Sequence, residues 1–204
     1  MSSRAIQTKS RREELLNCAY DAIRINGPGV SMDEIAQVAG VTRVILYRYF
    51  EDRRGLKKAI TERYQKEMAD FLNEQFQDMQ RILLSSNRID KDILHSVVKN
   101  TISRVFDFIQ NDPEVYSFVA SFYSGQNDSE TMTQFAETMS LILANYLGEF
   151  LALNKKDTGV AEAWAYAIVG IVHFSSVWWL NRKSVSQMRI VEYVTNLIVN
   201  GISG

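Results

Sequence analysis

The chain has 204 residues, 46% of them hydrophobic, with 23 Lys/Arg against 24 Asp/Glu and a formal net charge of −1. That length buries a sizeable core, and the composition is that of an ordinary globular chain, which excludes disordered and collagen-like classes. The single cysteine excludes an intramolecular disulfide and any Cys-rich metal site. With only two prolines and no run of alternating β-branched residues, an all-α fold is predicted. The small net charge hides an asymmetry: residues 1–60 hold 11 Lys/Arg and 7 Asp/Glu, whereas the remainder holds 12 and 17. A basic head on an acidic body fits phosphate binding at one end.

Met1 to Ser10, with Arg4 and Lys9 among small and polar residues, contains no apolar segment that would serve as a secretory signal, so a cytoplasmic location is expected. This arm is expected to be a solvated tail, with insertion into a minor groove as the alternative. Leu15, Leu16, Ala19, Ala22 and Ile23 at helical spacing predict a helix from about Lys9 to Asn26, ended by Gly27-Pro28-Gly29. Cys18 falls in a pattern with Leu15, Ala22 and Ile25 and is expected to be a buried, inert thiol.

Ser31 to Arg53, SMDEIAQVAGVTRVILYRYFEDR, carries the densest set of signals. Ser31 and Glu34 form a Ser-x-x-Glu capping box that opens a helix. Ile35, Ala36, Val38 and Ala39 give it a short apolar face, and Gly40 supplies the positive φ that stops it in a tight turn. Thr42 is expected to cap a second helix through its hydroxyl, with Leu46 and Phe50 one turn apart and packed on the first helix. Two short helices joined by a Gly-containing turn are the signature of a helix-turn-helix DNA reader. The second helix leaves Arg43, Val44, Tyr47 and Arg48 on other faces. Arg43 is the expected base reader, since a guanidinium bonds guanine O6 and N7 together. Tyr47, Arg48 and Tyr49 suit phosphate contacts, and Arg53 adds charge and open N–H groups at the next helix start. The competing reading is a generic helical hairpin with solvated Arg and Tyr.

The run VTRVILYRYFEDRRGLKKAI resembles the end of the DNA-binding domain of TetR-type transcriptional regulators, through Val41, Thr42, Leu46, Tyr47, Tyr49, Phe50, Arg53 and Leu56. The resemblance is specific over about residues 10 to 60 and architectural beyond. It implies DNA contacts from Thr42, Arg43, Tyr47, Tyr49 and Arg53, to which the reading of the residues themselves adds Ser31, Val44 and Arg48. It also implies a three-helix DNA-binding head, residues 1–55, followed by a larger helical domain, residues 56–204, that binds an effector and dimerises, about nine helices in all. Val44 and Ile45 depart from the family's small or hydroxylated residues and point to thymine methyl groups. Arg53 stands where the family usually has Lys.

A long helix is predicted from near Asp52, carrying Leu56, Ile60, Tyr64, Met68, Phe71, Leu72, Phe76, Met79 and Leu83 as the link between head and body. Body helices follow at about Asp90 to Gln110, Pro113 to Ser124, Asp128 to Asn154, Thr158 to Arg182 and Ser186 to Ile202, with breaks such as Ser124-Gly125-Gln126 and Lys155-Lys156-Asp157. Pro113 suits a first helical turn, and Ser184 with Gln187 is a second capping-box candidate.

Ala163 to Leu180 is 18 residues without Asp, Glu, Lys or Arg, long enough to be weighed as a membrane span. His173, Ser175 and Ser176 in its middle, and Glu162 and Arg182 at its ends, favour a helix buried in protein. With the stripe of Ile190, Val194, Leu197 and Ile198, it suggests a four-helix bundle between two chains. The TetR resemblance implies the same homodimer, and Trp178, Trp179, Ile190, Val194, Leu197 and Ile198 are the expected interface.

Aromatic residues crowd the body, from Phe106 and Phe108 through Tyr116, Phe118, Phe122, Tyr123, Phe135, Tyr146, Trp164 and Tyr166. At helical spacing each is more often core than ligand box. The resemblance implies an enclosed effector, for which apolar walls with a few polar groups are needed. Candidate pocket residues are Asn100, Thr101, Arg104, Phe108, Phe118, Phe122, Tyr146, Trp164 and His173, with Asn145 also watched, and an apolar or aromatic effector is expected. The expected partners are therefore an inverted-repeat duplex operator, a small molecule and a second copy, with no membrane, cofactor or metal. An enzyme is not expected: His95 and His173 are far apart in sequence, and no glycine-rich phosphate loop, HExxH pattern or supported Ser-His-Asp set is present. The alternative function is a helical membrane-associated or interaction protein without operator binding.

Overall fold

The structure, a computed structural model, describes residues 3–85, 91–120 and 129–201. The described residues form α1 (Ser3–Asn26), α2 (Met32–Val38), α3 (Arg43–Phe50), α4 (Arg53–Ser85), α5 (Lys91–Asn111), α6 (Pro113–Ala120), α7 (Ser129–Leu153), α8 (Ala161–Arg182) and α9 (Gln187–Asn200), with no strand among them. The predicted all-α class holds. The chain packs as two compact units, Met1–Lys66 with Asp112–Thr131, and Glu67–Asn111 with Met132–Gly204. α4 is one continuous helix divided between them after Lys66.

In the first unit α1 packs on α2 and α2 on α3, and Leu15, Leu16, Ala19, Ala22 and Ile23 of α1, Ile35 and Ala36 of α2, Leu46 and Phe50 of α3, and Leu56 and Ile60 of α4 are all buried. The Tyr20 hydroxyl donates to the Ile60 carbonyl at 3.2 Å, which satisfies a polar group inside this core. α6 packs on α1, and Val115, Tyr116, Phe118 and Val119 are buried. Arg24 closes that contact with a two-point bond to Asp112, Nε to Oδ1 at 2.7 Å and Nη2 to Oδ2 at 2.5 Å.

In the second unit, the amphipathic helices α5 and α9 pack along each other and α8 joins them. Ile102, Phe106, Trp179, Ile190, Val191 and Val194 form the centre, with Ile198 packed against it. Trp179 is fixed there by an edge-on contact to Phe106 and by donation from Nε1 to the Val185 carbonyl at 2.9 Å.

Several expectations need correction. α1 begins at Ser3 instead of near Lys9, so the described part of the arm is helical, and residues 7–10 are exposed to solvent. Cys18 is half-buried and Ile25, two turns further along α1, is 71% exposed. Val38 also faces solvent. Thr42 occupies the N-cap position with extended backbone, but its side chain makes no capping bond. Ser186, and not Ser184, caps α9, accepting from the Arg189 N–H. α8 is not buried within its own chain: Trp164, Tyr166, Phe174 and Trp178 are between 41% and 63% exposed. Phe122, Tyr123 and the Ser124-Gly125-Gln126 break lie outside the described residues.

Candidate nucleic-acid interface

The reader is assembled by short-range bonds. Ser31 and Glu34 complete the capping box: the Glu34 N–H donates to Ser31 Oγ at 3.2 Å and the Ser31 N–H to Glu34 Oε2 at 2.7 Å. Bonds from the Ser31 side chain and backbone hold the Glu34 carboxyl below its ordinary pKa. At the other end of α2, the Gly40 N–H donates to Gln37 O and the Val41 N–H to Ala36 O, at 3.1 and 3.0 Å. With Gly40 at φ +62°, this is a Schellman stop. α3 therefore starts after a fixed turn, and Leu46 and Phe50, 0% and 3% exposed, clamp it to the unit's interior.

Clamping that face decides what is left outside. Thr42, Arg43, Val44 and Arg48 are exposed, Val44 to 74%, while Tyr47 and Tyr49 are half-buried. Arg43 Nε donates to the Tyr47 hydroxyl at 2.8 Å, and Nη1 to Asp33 Oδ2 at 3.3 Å. Its guanidinium also lies 5.2 Å from the Tyr47 ring centre. The Tyr47 hydroxyl first, and then the Asp33 carboxylate, raise the Arg43 pKa, so this side chain stays charged. Arg53 is exposed and donates from Nη2 to the Val30 carbonyl at 3.1 Å, tying the start of α4 to the entrance of α2. The turn between α3 and α4 is tight: Glu51 has φ +66°, and Asp52 Oδ1 accepts from the Gly55 N–H at 2.7 Å. Asp33 carries no sequence signal for this role, because a pairing across ten residues and a turn has no local periodicity.

The second unit gathers some of the pocket candidates and scatters others. Phe108 packs tilted against Phe71 with ring centres 4.8 Å apart, Tyr146 likewise against Phe76 at 5.2 Å, and Arg104 Nη1 donates to Gln75 Oε1 at 2.9 Å. These three candidates, from α5 and α7, converge on the Phe71–Phe76 stretch of α4. Thr101 instead bonds back to the Val97 carbonyl of its own helix. Asn100 lines an open groove of about 510 Å³ with Ser96, Lys99, Ser103, Gln187 and Met188. Trp164 is half exposed, and His173 lies edge-on to Phe174 with its pKa lowered by burial to about 4. Phe118 is a core residue of the first unit, with the Lys57 ammonium 6.0 Å from its ring. Three buried polar groups of the second unit carry no signal in the sequence: Gln75, Thr195, whose hydroxyl donates to the Val191 carbonyl at 2.7 Å, and Ser140, whose hydroxyl has no hydrogen-bond partner among the described residues.

The expected dimer residues also divide. Trp178 and Leu197 are exposed, at 41% and 42%. Trp179, Ile190 and Val194 are corrected: they fill the chain's own core, because the inward stripe of α9 is needed to cover α5. Ile198 packs against that core.

A capped helix, a Schellman turn and a second helix clamped by two apolar residues, with a basic-aromatic face outward, define a helix-turn-helix regulator of the DNA-binding class. Residues 19–60 match the family described as Bacterial regulatory proteins, tetR family, and residues 89–203 match the Tetracyclin repressor-like, C-terminal domain. The chain belongs to the TetR family of transcriptional regulators. It is similar to an uncharacterized HTH-type transcriptional regulator of Mycobacterium tuberculosis, 29% identical over 95% of this chain and 78% of that protein. It is also similar to the HTH-type transcriptional activator FasR of Mycolicibacterium smegmatis, 25% identical over 95% of this chain and 83% of FasR. Among solved structures, that of Thermus thermophilus FadR, a TetR family transcriptional repressor in complex with lauroyl-CoA, shares the fold with a TM-score of 0.66. It is 15% identical and covers 95% of each chain.

Proposed function

We propose that this chain is a cytoplasmic, homodimeric repressor that grips an inverted-repeat operator and is released by a small apolar effector. The observation that carries the reading is the division of α3: Leu46 and Phe50 are buried, while Thr42, Arg43, Val44 and Arg48 are exposed beside Tyr47 and Tyr49. In this reading Arg43 addresses a guanine edge and Val44 a thymine methyl group. Thr42, Tyr47, Arg48, Tyr49 and Arg53 take phosphates, which set register. Ser31 serves by fixing the α2 N-terminus, since its hydroxyl is committed to the capping box. Dividing the chain by role at residues 55/56 separates this reader from the part that governs it.

The second copy is supported by α8 and α9. Trp164, Phe174 and Trp178 of α8, with Tyr193 and Leu197 of α9, are all more than 40% exposed, an apolar surface that a monomer does not leave open to water. α8 has the length and composition of a membrane span, but a two-fold bundle of α8 and α9 covers the same surface and sets two readers on successive half-sites.

The effector is assigned to the second unit, where Phe71, Phe108, Phe76 and Tyr146 form an aromatic wall beside the Arg104–Gln75 pair. A long acyl chain with a polar, anionic head suits such a wall and an arginine. FadR of Thermus thermophilus, with the same fold, is in complex with lauroyl-CoA. Fatty acyl-CoA is therefore the effector class to test. A ligand shifts the operator equilibrium only by its differential affinity for the two states. α4, which runs through both units, is the element to carry the displacement.

The similarity to FasR, named as an activator, supports a second reading in which the same operator contact recruits instead of blocks. Titrating lauroyl-CoA, free laurate and free CoA into a protein–operator complex tests the effector assignment. Release by the acyl-CoA alone is expected, and release by none of the three contradicts it.

A further inference from the structure

Arg43 is held at two points before any DNA arrives. Its Nε is bonded to the Tyr47 hydroxyl on its own helix, and its Nη1 to the Asp33 carboxylate in the first turn of α2. A guanidinium has five N–H groups. The two bonds leave Nη2 and one N–H of Nη1 without a partner among the described residues, enough to bond guanine O6 and N7 while both holds persist. We infer that Asp33 is a specificity-determining positioning residue, which steers Arg43 toward a base edge and away from phosphates. This inference rests on the operator reading proposed above.

Two physical effects act in the same direction. An arginine side chain loses rotamer freedom when it is fixed, and a hold already present in the unbound protein removes part of that loss from the specific complex. On non-operator DNA no guanine stands at the required place, and the unrestrained guanidinium would turn to a phosphate. To do so it must leave Asp33, and the Asp33 carboxylate itself opposes the approach of phosphate. Both groups are exposed, 52% for the Arg43 side chain and 71% for Asp33, so the pair is weak and biases the side chain without locking it. An effect of about three- to tenfold on discrimination is the appropriate scale.

The test selects from a random-sequence duplex library with the full-length parent, D33N, R43A and the double variant. Each protein is then titrated against the enriched duplex and a scrambled duplex at several salt concentrations, with circular dichroism confirming equal helix content. D33N is expected to enrich the same inverted repeat but with its preference at the guanine position relaxed. Its ratio of enriched to scrambled affinity should fall about three- to tenfold, and its salt slope on scrambled DNA should steepen by about one, as for one added phosphate contact. With Arg43 already replaced, D33N should leave the ratio within about twofold. An unchanged ratio in D33N, or an equal fall in the R43A background, overturns the inference while leaving operator binding intact. A parent that enriches no motif overturns the operator reading and this inference with it.

Discussion

A methyl group at Gly55 would stand 2.0 Å from the Phe50 carbonyl oxygen, so the turn between α3 and α4 closes only with glycine there. Gly55→Ala should destabilise by about 1–3 kcal/mol, read from urea unfolding, because the clash is with backbone that cannot rotate aside. Gly40 is needed for its φ of +62° and has open space around it, so Gly40→Ala should cost only about 1–2 kcal/mol. Unfolding midpoints in the reverse order would contradict this geometry. Arg43→Ala should reduce discrimination among operators by about 1–3 kcal/mol, checked by competition between duplexes that differ at one base pair. His173 supplies a pH test. Burial lowers its pKa to about 4, so the unfolded chain binds a proton near pH 6.5 that the folded chain refuses until about pH 4. Stability should therefore be level above pH 6.5 and fall as the pH drops toward 4. His173→Gln should flatten thermal midpoints across that window, and an unchanged slope would assign the titration to another group.

The elements differ in how far local sequence could specify them. α2, its glycine stop and the buried pair on α3 were legible because each bond in that motif spans six residues or fewer. The Thr42 cap failed although the residue type and position were right: Thr42 is extended and caps through its backbone, with Ile45 N–H donating to its carbonyl at 2.9 Å. α6 was placed from Pro113 at its first turn, but its packing on α1 was not visible in sequence. One bond of that contact joins Arg24 to Asp112 across 88 residues, a separation that no local pattern marks. The pair is partly exposed, so Arg24→Ala should cost no more than about 1 kcal/mol in global stability, measured by denaturant unfolding. A larger loss would mean that α6 is a main support of the head. The same limit explains α9: its apolar stripe was correctly found, but periodicity could not tell a face turned to its own α5 from one turned to a second copy.

For the whole molecule, the unbalanced surface is the apolar exposure on α8 and α9. Phe174 and Trp178, one turn apart, are 63% and 41% exposed. Replacing both with Glu should raise the dissociation constant of the proposed dimer by at least about 30-fold, as for an interface hot spot, measured by sedimentation equilibrium. Operator affinity should fall with it, since two half-sites bound through one dimer gain from their linkage. A double variant that remains a dimer would place the interface elsewhere. The basic reader in the first unit and the TetR family match both point to a chain that recognises a particular duplex. The most direct measurement is selection of genomic fragments by purified, ligand-free protein at moderate salt, followed by sequencing. Enrichment of an inverted repeat with a guanine at corresponding positions of both half-sites is expected. Uniform recovery of fragments, even at low salt where phosphate contacts are strongest, would contradict it.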